Sequence, residues 1–324
     1  MRGSCGIMLS GGVAACIAGA SLAQPLWPIR PVRIVAPIAP GGPIDALARQ
    51  LAAGLQERHG MAVVVENLAG GSGVIGLDHV RRAPADGYTL VAVTSGFMTI
   101  APILIARLPY DIERDFAPVA MLARSTNVMV AHPSLRVSSV KDLVTIARAR
   151  PGAVAYASPG IGSGLHLTAE LFAQQAGIEL LHVPYKGAGP ALTDVLAGHV
   201  PLMMGSLHTV LPFLRSGRLR AIGVADVARS PLAPEIATLA EQGTKAVVST
   251  SWYGLLAPGA TPPAVVSVIA REAHEVLGRA AFREVLERQG LELWALGPTA
   301  FRDLAREERS RWARIIRERD IRAD

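Results

Sequence analysis

Val154-Ala155-Tyr156-Ala157-Ser158-Pro159-Gly160-Ile161-Gly162-Ser163-Gly164-Leu165-His166 is a short β-type run that breaks into glycine and then opens a helix. Val154 to Ala157 suits a short buried strand. Leu165 to Ala176 reads as a helix closed by Gly177. The stretch between them, Ser158 to Gly164, holds too much glycine and proline for either. The same strand–loop–helix grammar recurs on both sides. Upstream, Val32 to Ala36 leads through Ala39-Pro40-Gly41-Gly42 into a helix from Pro43 to His59, where Leu47, Leu51 and Leu55 share one face and Gly60 ends it. Downstream, Leu180 to Val183 leads through Pro184-Tyr185-Lys186-Gly187 into a helix from Pro190 to Ala197, closed by Gly198.

The rest of the chain continues the alternation. Strands are expected at Val63 to Val65, Tyr88 to Val93, Val128 to Val130, Val200 to Met204 and Leu219 to Val224. Helices are expected at Val74 to Arg82, from the Ser139 cap to Arg150, and at Pro262 to Leu277, Ala281 to Gln289 and Pro298 to Arg319. Such alternation predicts α/β architecture with mostly parallel sheets flanked by helices on both faces. A length of 324 residues fits two domains. Half the residues are hydrophobic and 18% are charged, which excludes a disordered chain.

Residues 1–23 read as a secretory signal peptide: Arg2, an uncharged run from Ile7 to Ala23, and the small-x-small Ser21-Leu22-Ala23, with cleavage after Ala23. Val13-Ala14-Ala15-Cys16 also fits a lipoprotein box with Cys16 lipidated, but the apolar run before it is short. Cleavage after Ala23 removes both cysteines, Cys5 and Cys16, so the mature chain has no thiol nucleophile and no disulfide. The destination is then the periplasm. Two later uncharged stretches, Gly87 to Ala106 and Ala246 to Ala270, carry prolines and hydroxyls in their interiors and read as strand–loop–helix rather than as membrane spans.

The glycine loops carry the chemistry. The first amides of a helix have no intrahelical acceptor and sit at the positive end of its dipole, so a loop running into a helix start can hold an anion. One such loop is accounted for as a tight turn. Three with the same grammar, at the carboxyl ends of their strands, point to a shared anion site. Competing motifs fail. Gly71-Ser72-Gly73-Val74-Ile75-Gly76 matches G-x-G-x-x-G, but Glu66 to Gly70 separate it from its strand, and the next strand ends in Thr94-Ser95 without an acid for a ribose. Ser163 has Ile161 where a nucleophile elbow needs glycine. The histidines form no H-E-x-x-H, so no metal site is expected and no cofactor. His166 lies in a first helical turn, open to capping, core packing or ligand contact. Asp45 lies in another, where a carboxylate favours the dipole. The arginines cluster only at Arg302 to Arg319, among Asp303, Glu307, Glu308 and Glu318, which reads as a solvated face and gives no nucleic-acid partner.

An ordered set of short motifs then resembles a known family. They are Trp27-Pro28; Pro31-Val32-Arg33-Ile34-Val35; Pro40-Gly41-Gly42-Pro43-Ile44-Asp45; Val65-Glu66-Asn67 with Gly70 to Gly73; Asp86-Gly87-Tyr88-Thr89-Leu90; Leu108-Pro109-Tyr110-Asp111; Asp115-Phe116-Ala117-Pro118-Val119; Ala157-Ser158-Pro159-Gly160; and His182-Val183-Pro184-Tyr185-Lys186-Gly187. Together they resemble the Bug family, the extracytoplasmic solute receptors of tripartite tricarboxylate transporters. The resemblance implies a two-lobed Venus-flytrap receptor of the type II periplasmic-binding fold, monomeric and not an enzyme. It would hold a small organic carboxylate between its lobes and deliver it to the transporter's membrane subunits. Lobe 1 would be residues 24–126 plus 250–324 and lobe 2 residues 127–249, with crossing strands near Phe116 to Asn127 and Ser251 to Leu256. Carried over by motif, the ligand contacts are Ile38, Ala39, Gly42, Pro43, Ile44 and Asp45; Ser158, Gly160, Ser163 and His166; Lys186 and Gly187; with Thr94 and Ser206 beside them. Ile44 replaces the family's usual Thr or Ser, which is expected to make the cleft more apolar. His199-Val200-Pro201 departs from the family's polar residue followed by Val-Asp. Ser206 stands where an aspartate commonly meets the ligand's far end. The alternatives are a secreted doubly wound enzyme, NAD-linked or a hydrolase, and a receptor docking on a signalling partner.

Overall fold

The computed structural model describes residues 27–322 apart from Gly42 and Ala246. The signal-peptide reading, with Cys5 and Cys16, and the Gly42 contact lie outside the described residues. The chain begins with β1 (Val32–Ala36), α1 (Pro43–His59), β2 (Val63–Asn67), α2 (Val74–Arg81), β3 (Thr89–Thr94), α3 (Ser95–Thr99) and α4 (Ala101–Leu104). The long β4 (Phe116–Ala131) follows, then α5 (Val140–Ala149), β5 (Ala155–Ser158), α6 (Gly164–Ala176), β6 (Leu181–Pro184), α7 (Ala188–Leu196), β7 (Leu202–Ser206), α8 (Leu207–Arg215) and β8 (Arg220–Val224). The chain closes with β9 (Thr250–Pro258), α9 (Pro263–Leu277), α10 (Ala280–Arg288), β10 (Glu292–Leu293) and α11 (Pro298–Glu318).

The strands line up in the order β2-β1-β3-β9-β4-β7-β5-β6, with β8 and β10 also paired to β4. β1 pairs in parallel with β2 and β3, and β5 in parallel with β6 and β7. The expectation of mostly parallel sheets needs one correction: β9 is antiparallel to β3, and β4 is antiparallel to every strand it pairs. The second is that Val128 to Val130 is no separate strand. It is the end of β4, which runs unbroken for 16 residues, 14 of them buried. β4 changes partner within one step: Thr126 faces Thr250 of β9, whereas Asn127 faces Ser206 of β7.

Each half of the sheet is covered on both faces. α1 and α9 bury Leu47, Leu51, Leu55, Ile269 and Leu277 on one face of the first half, and Leu77, Met98 and Phe301 pack on the other. The second half is sandwiched between a cluster with Leu143, Tyr156 and Phe172 and another with Leu192, Val195 and Val210. α11 departs from the expected division of the C-terminus. Phe301 and Ala305 join the first half, while Trp312, Ile315 and Ile316 join the second. Arg319 Nε and Nη2 then both donate to Glu170 Oε2 of α6 (2.8 and 2.6 Å), and Glu170 Oε1 accepts from the Tyr156 hydroxyl (2.7 Å). α8 was not anticipated, because Pro212 inside it reads as a breaker.

Candidate functional site

The loop after β1 is tied down from within. The Gly41 amide donates to Asp45 Oδ2 (3.0 Å), and Asn67 Nδ2 donates both to Asp45 Oδ1 (2.8 Å) and to the Ile38 carbonyl (3.2 Å). Arg49 reaches the same carboxylate. Burial pushes the Asp45 carboxyl up, but the Gly41 amide, Asn67 and Arg49 outweigh it and hold it below the usual range. Asp45 therefore locks the loop. Pro43 takes the first helical position, and Ala39 is exposed. Ile44 is 1% exposed and packs in the core, so its methyls do not reach the cleft as the sequence suggested.

The loops after β5 and β6 hold each other. The Tyr185 amide donates to the Ser158 carbonyl (3.0 Å) and the Gly187 amide to the Pro159 carbonyl (2.9 Å). At Gly160, φ is +144° and a Cβ would lie 3.2 Å from the Tyr185 carbonyl, so glycine is what lets the two loops meet. Ser163 caps α6 by accepting from the His166 amide (3.1 Å), and His166 Nδ1 accepts from the Gly162 amide (3.0 Å). The His166 ring stacks on His182 at 3.9 Å, and Tyr156 stacks beyond His182. Burial, then the neighbouring His182, holds His166 down at about 4, so it is neutral with Nδ1 free to accept. Ser158 Oγ lies 2.7 Å from His182 Nε2, a serine–histidine pair the sequence did not reveal. Ser158 is 0% exposed and its hydroxyl also bonds Gly160, which suits a strut and leaves no path to a substrate.

A cavity of about 600 Å³ opens between the lobes, lined by α4 and its neighbours and by three further elements. β3 and the turn into α3 supply Thr94, Ser95 and Phe97. The loop and start of α6 supply Gly160, Ser163, Gly164 and Leu165. The crossing strand β9 supplies Ser251, Trp252 and Tyr253. Among the described residues lining it none is charged. Its polar equipment is hydroxyls and backbone: first-turn amides such as Gly164 and Leu165 have no acceptor inside their own helix. Burial pushes the Tyr253 phenol far above its usual value, so it is a neutral donor. Trp252 Nε1 donates to Glu308 (2.8 Å), a buried carboxyl that loss of hydration raises to about 7.

Of the residues singled out by sequence, Thr94, Gly160 and Ser163 line this cavity. Ile38, Ala39, Pro43, Ile44, Asp45, Ser158, His166, Lys186, Gly187 and Ser206 are not among the lining residues. Lys186 is exposed. Ser206 is buried behind the floor, with its hydroxyl 3.4 Å from both Asn127 Oδ1 and Ser251 Oγ. Asn127 joins them to Ser249 (3.2 Å), which pairs with Thr168 (2.6 Å), and Thr168 donates to the Gly164 carbonyl (2.6 Å). A hydroxyl relay thus runs from the strand crossing to the start of α6. Ser95, Phe97, Ser251 and Tyr253 escaped the sequence reading. The Thr94-Ser95-Gly96 end of β3 was the one signal that pointed to them. A second cavity, of about 550 Å³, lies over β1 and β2, but Arg30 and Arg33 there are already paired with Asp86 (2.6 Å) and Glu66 (3.4 Å).

The profile of the tripartite tricarboxylate transporter family receptor (TctC) matches residues 47–321. Protein BugT of Bordetella pertussis is 37% identical over 307 residues, covering 93% of this chain and 94% of that one. Among solved structures, the R. palustris protein Rpa4515 with adipate superposes with a TM-score of 0.81 at 34% identity, covering 91% of this chain and 99% of that one. MatC from Rhodopseudomonas palustris with bound malate gives 0.77 at 28% identity, covering 90% of this chain and all of that one.

Proposed function

The chain belongs to the tripartite tricarboxylate transporter receptor family, a family of substrate-binding receptors rather than enzymes, and on that premise we propose that it captures a small organic carboxylate in the cavity between its lobes and delivers it to the membrane subunits of a transporter of this type. The periplasm is where it would act, as family members do. The observation that carries the reading is a cavity with no charged side chain among its described lining residues, bounded by two helix starts and a row of hydroxyls. Peptide amides and neutral donors can replace the water around a carboxylate without the desolvation cost of a buried cation. Adipate and malate in two related structures support the ligand class.

In this reading Thr94, Gly160, Ser163, Ser251 and Tyr253 face the ligand. Asp45, Ser158, His166, Gly187 and Ser206 hold the surrounding loops. Ile38, Ala39 and Lys186, on loops at the same strand ends, and Pro43, at the start of α1, are contacts made when the lobes close. We take the partner change at Thr126/Asn127 as the boundary between lobes. β4 and β9 join the lobes, and a ligand touching both favours the closed state, which the membrane subunits would recognise. Thermal shift of the chain from Gln24, against mono-, di- and tricarboxylates, tests this. Stabilisation of about 2.7 kcal/mol is expected at a hundredfold excess over the dissociation constant. No shift with any acid, alongside one with NAD, would overturn the proposal.

A further inference from the structure

The polar groups of the cavity are matched by an apolar wall. Phe97 of α3, Ile100 between α3 and α4, Leu104 of α4 and Ile105 just after it all line the cavity, and Leu165 joins them from α6. Ile100 and Leu104 also pack in the second-lobe core, so this wall is fixed and not a loose surface patch. At the same cavity Ile161 leaves 45% of its surface in water, an apolar side chain that a bound ligand would cover. A ligand hydroxyl or extra carboxylate set against this wall would lose its water and find no partner. A methylene or ring edge there would gain by leaving water.

Resting on the reading of this cavity as the carboxylate site, we infer that its ligand has an apolar aliphatic or aromatic body, unlike the hydroxylated di- and tricarboxylates. The carboxylate lies with the hydroxyls and helix-start amides, and the body lies on Phe97, Ile100, Leu104 and Ile105.

Isothermal titration of the chain from Gln24 with butyrate, hexanoate, benzoate, malate and citrate tests the inference. Hexanoate is expected to bind about fifteenfold tighter than butyrate, roughly fourfold per methylene. Malate and citrate are expected to bind at least about tenfold more weakly than hexanoate or benzoate. Ile105→Asn, at a half-buried position outside the core, should cut the gain per methylene to below about twofold, and Leu104→Ala should cut it in part. Malate or citrate as the tightest ligand, or equal affinity for butyrate and hexanoate, would overturn this inference and leave the receptor reading standing. Binding of none of these acids would overturn both.

Discussion

Replacing His166 by asparagine isolates what the buried imidazole does to the loop after β5. Asparagine Oδ1 occupies nearly the position of Nδ1 and can still accept from the Gly162 amide, but it does not titrate. In the wild type the ring falls from an ordinary 6.5 to about 4, because burial and then the stacked His182 disfavour its charge. A lowered histidine binds its proton less readily folded than unfolded, so stability rises with pH between about 4 and 6.5. Its full effect below that window is about 3 kcal/mol, and about 2 kcal/mol of it is lost between pH 7 and about pH 5. Urea unfolding followed by circular dichroism, for wild type and His166→Asn at both pH values, measures this. The observable is the difference between the two proteins, since other groups titrate in both. The wild type is expected to lose about 2 kcal/mol more than the variant on acidification. Equal losses, within about 0.5 kcal/mol, would refute the assignment of a neutral, accepting His166.

Glu308 tilts the other way. Its carboxyl is raised to about 7, so its stabilising effect is complete below 4.5 and is lost as pH rises through 7. Glu308→Gln, which can still accept from Trp252, is expected to gain about 2 kcal/mol on the wild type between about pH 5 and pH 7, read from the same unfolding curves. Asn67→Ala removes the donors to Asp45 and Ile38, and should cost about 1–3 kcal/mol and speed hydrogen exchange at Gly41. Gly162 and Gly152 share a φ of +72°, but a Cβ at Gly162 would run into Leu104 while one at Gly152 meets nothing. Gly162→Ala should therefore lower the melting temperature by several degrees more than Gly152→Ala, and equal losses would mean that α4 yields freely.

Much of the secondary structure was legible because it is decided locally. The Leu47, Leu51 and Leu55 stripe, the Ser139 cap and the left-handed glycines at 177 and 198 are signals within a turn or two of the elements they set. The glycine loops were legible for the same reason, as was the family through its ordered motifs. Residues whose role depends on distant chain were not. Asn67 was read as lying past its strand, yet it ends β2 and secures Ile38 across 29 positions. Ser251 meets Asn127 across 124.

What the sequence by itself determined is therefore where strands give way to helix starts, and hence that backbone amides are available to an anion. Tertiary structure alone decided which of those groups remain free. The Gly187 amide goes to Pro159 and the Ile38 carbonyl to Asn67, while Ser95 arrives at the cavity from the start of α3 and Ser251 and Tyr253 from β9. Helix starts follow from short-range propensities, but whether a polar group faces a ligand or a neighbouring loop depends on contacts between segments far apart in the chain. Only packing fixes those.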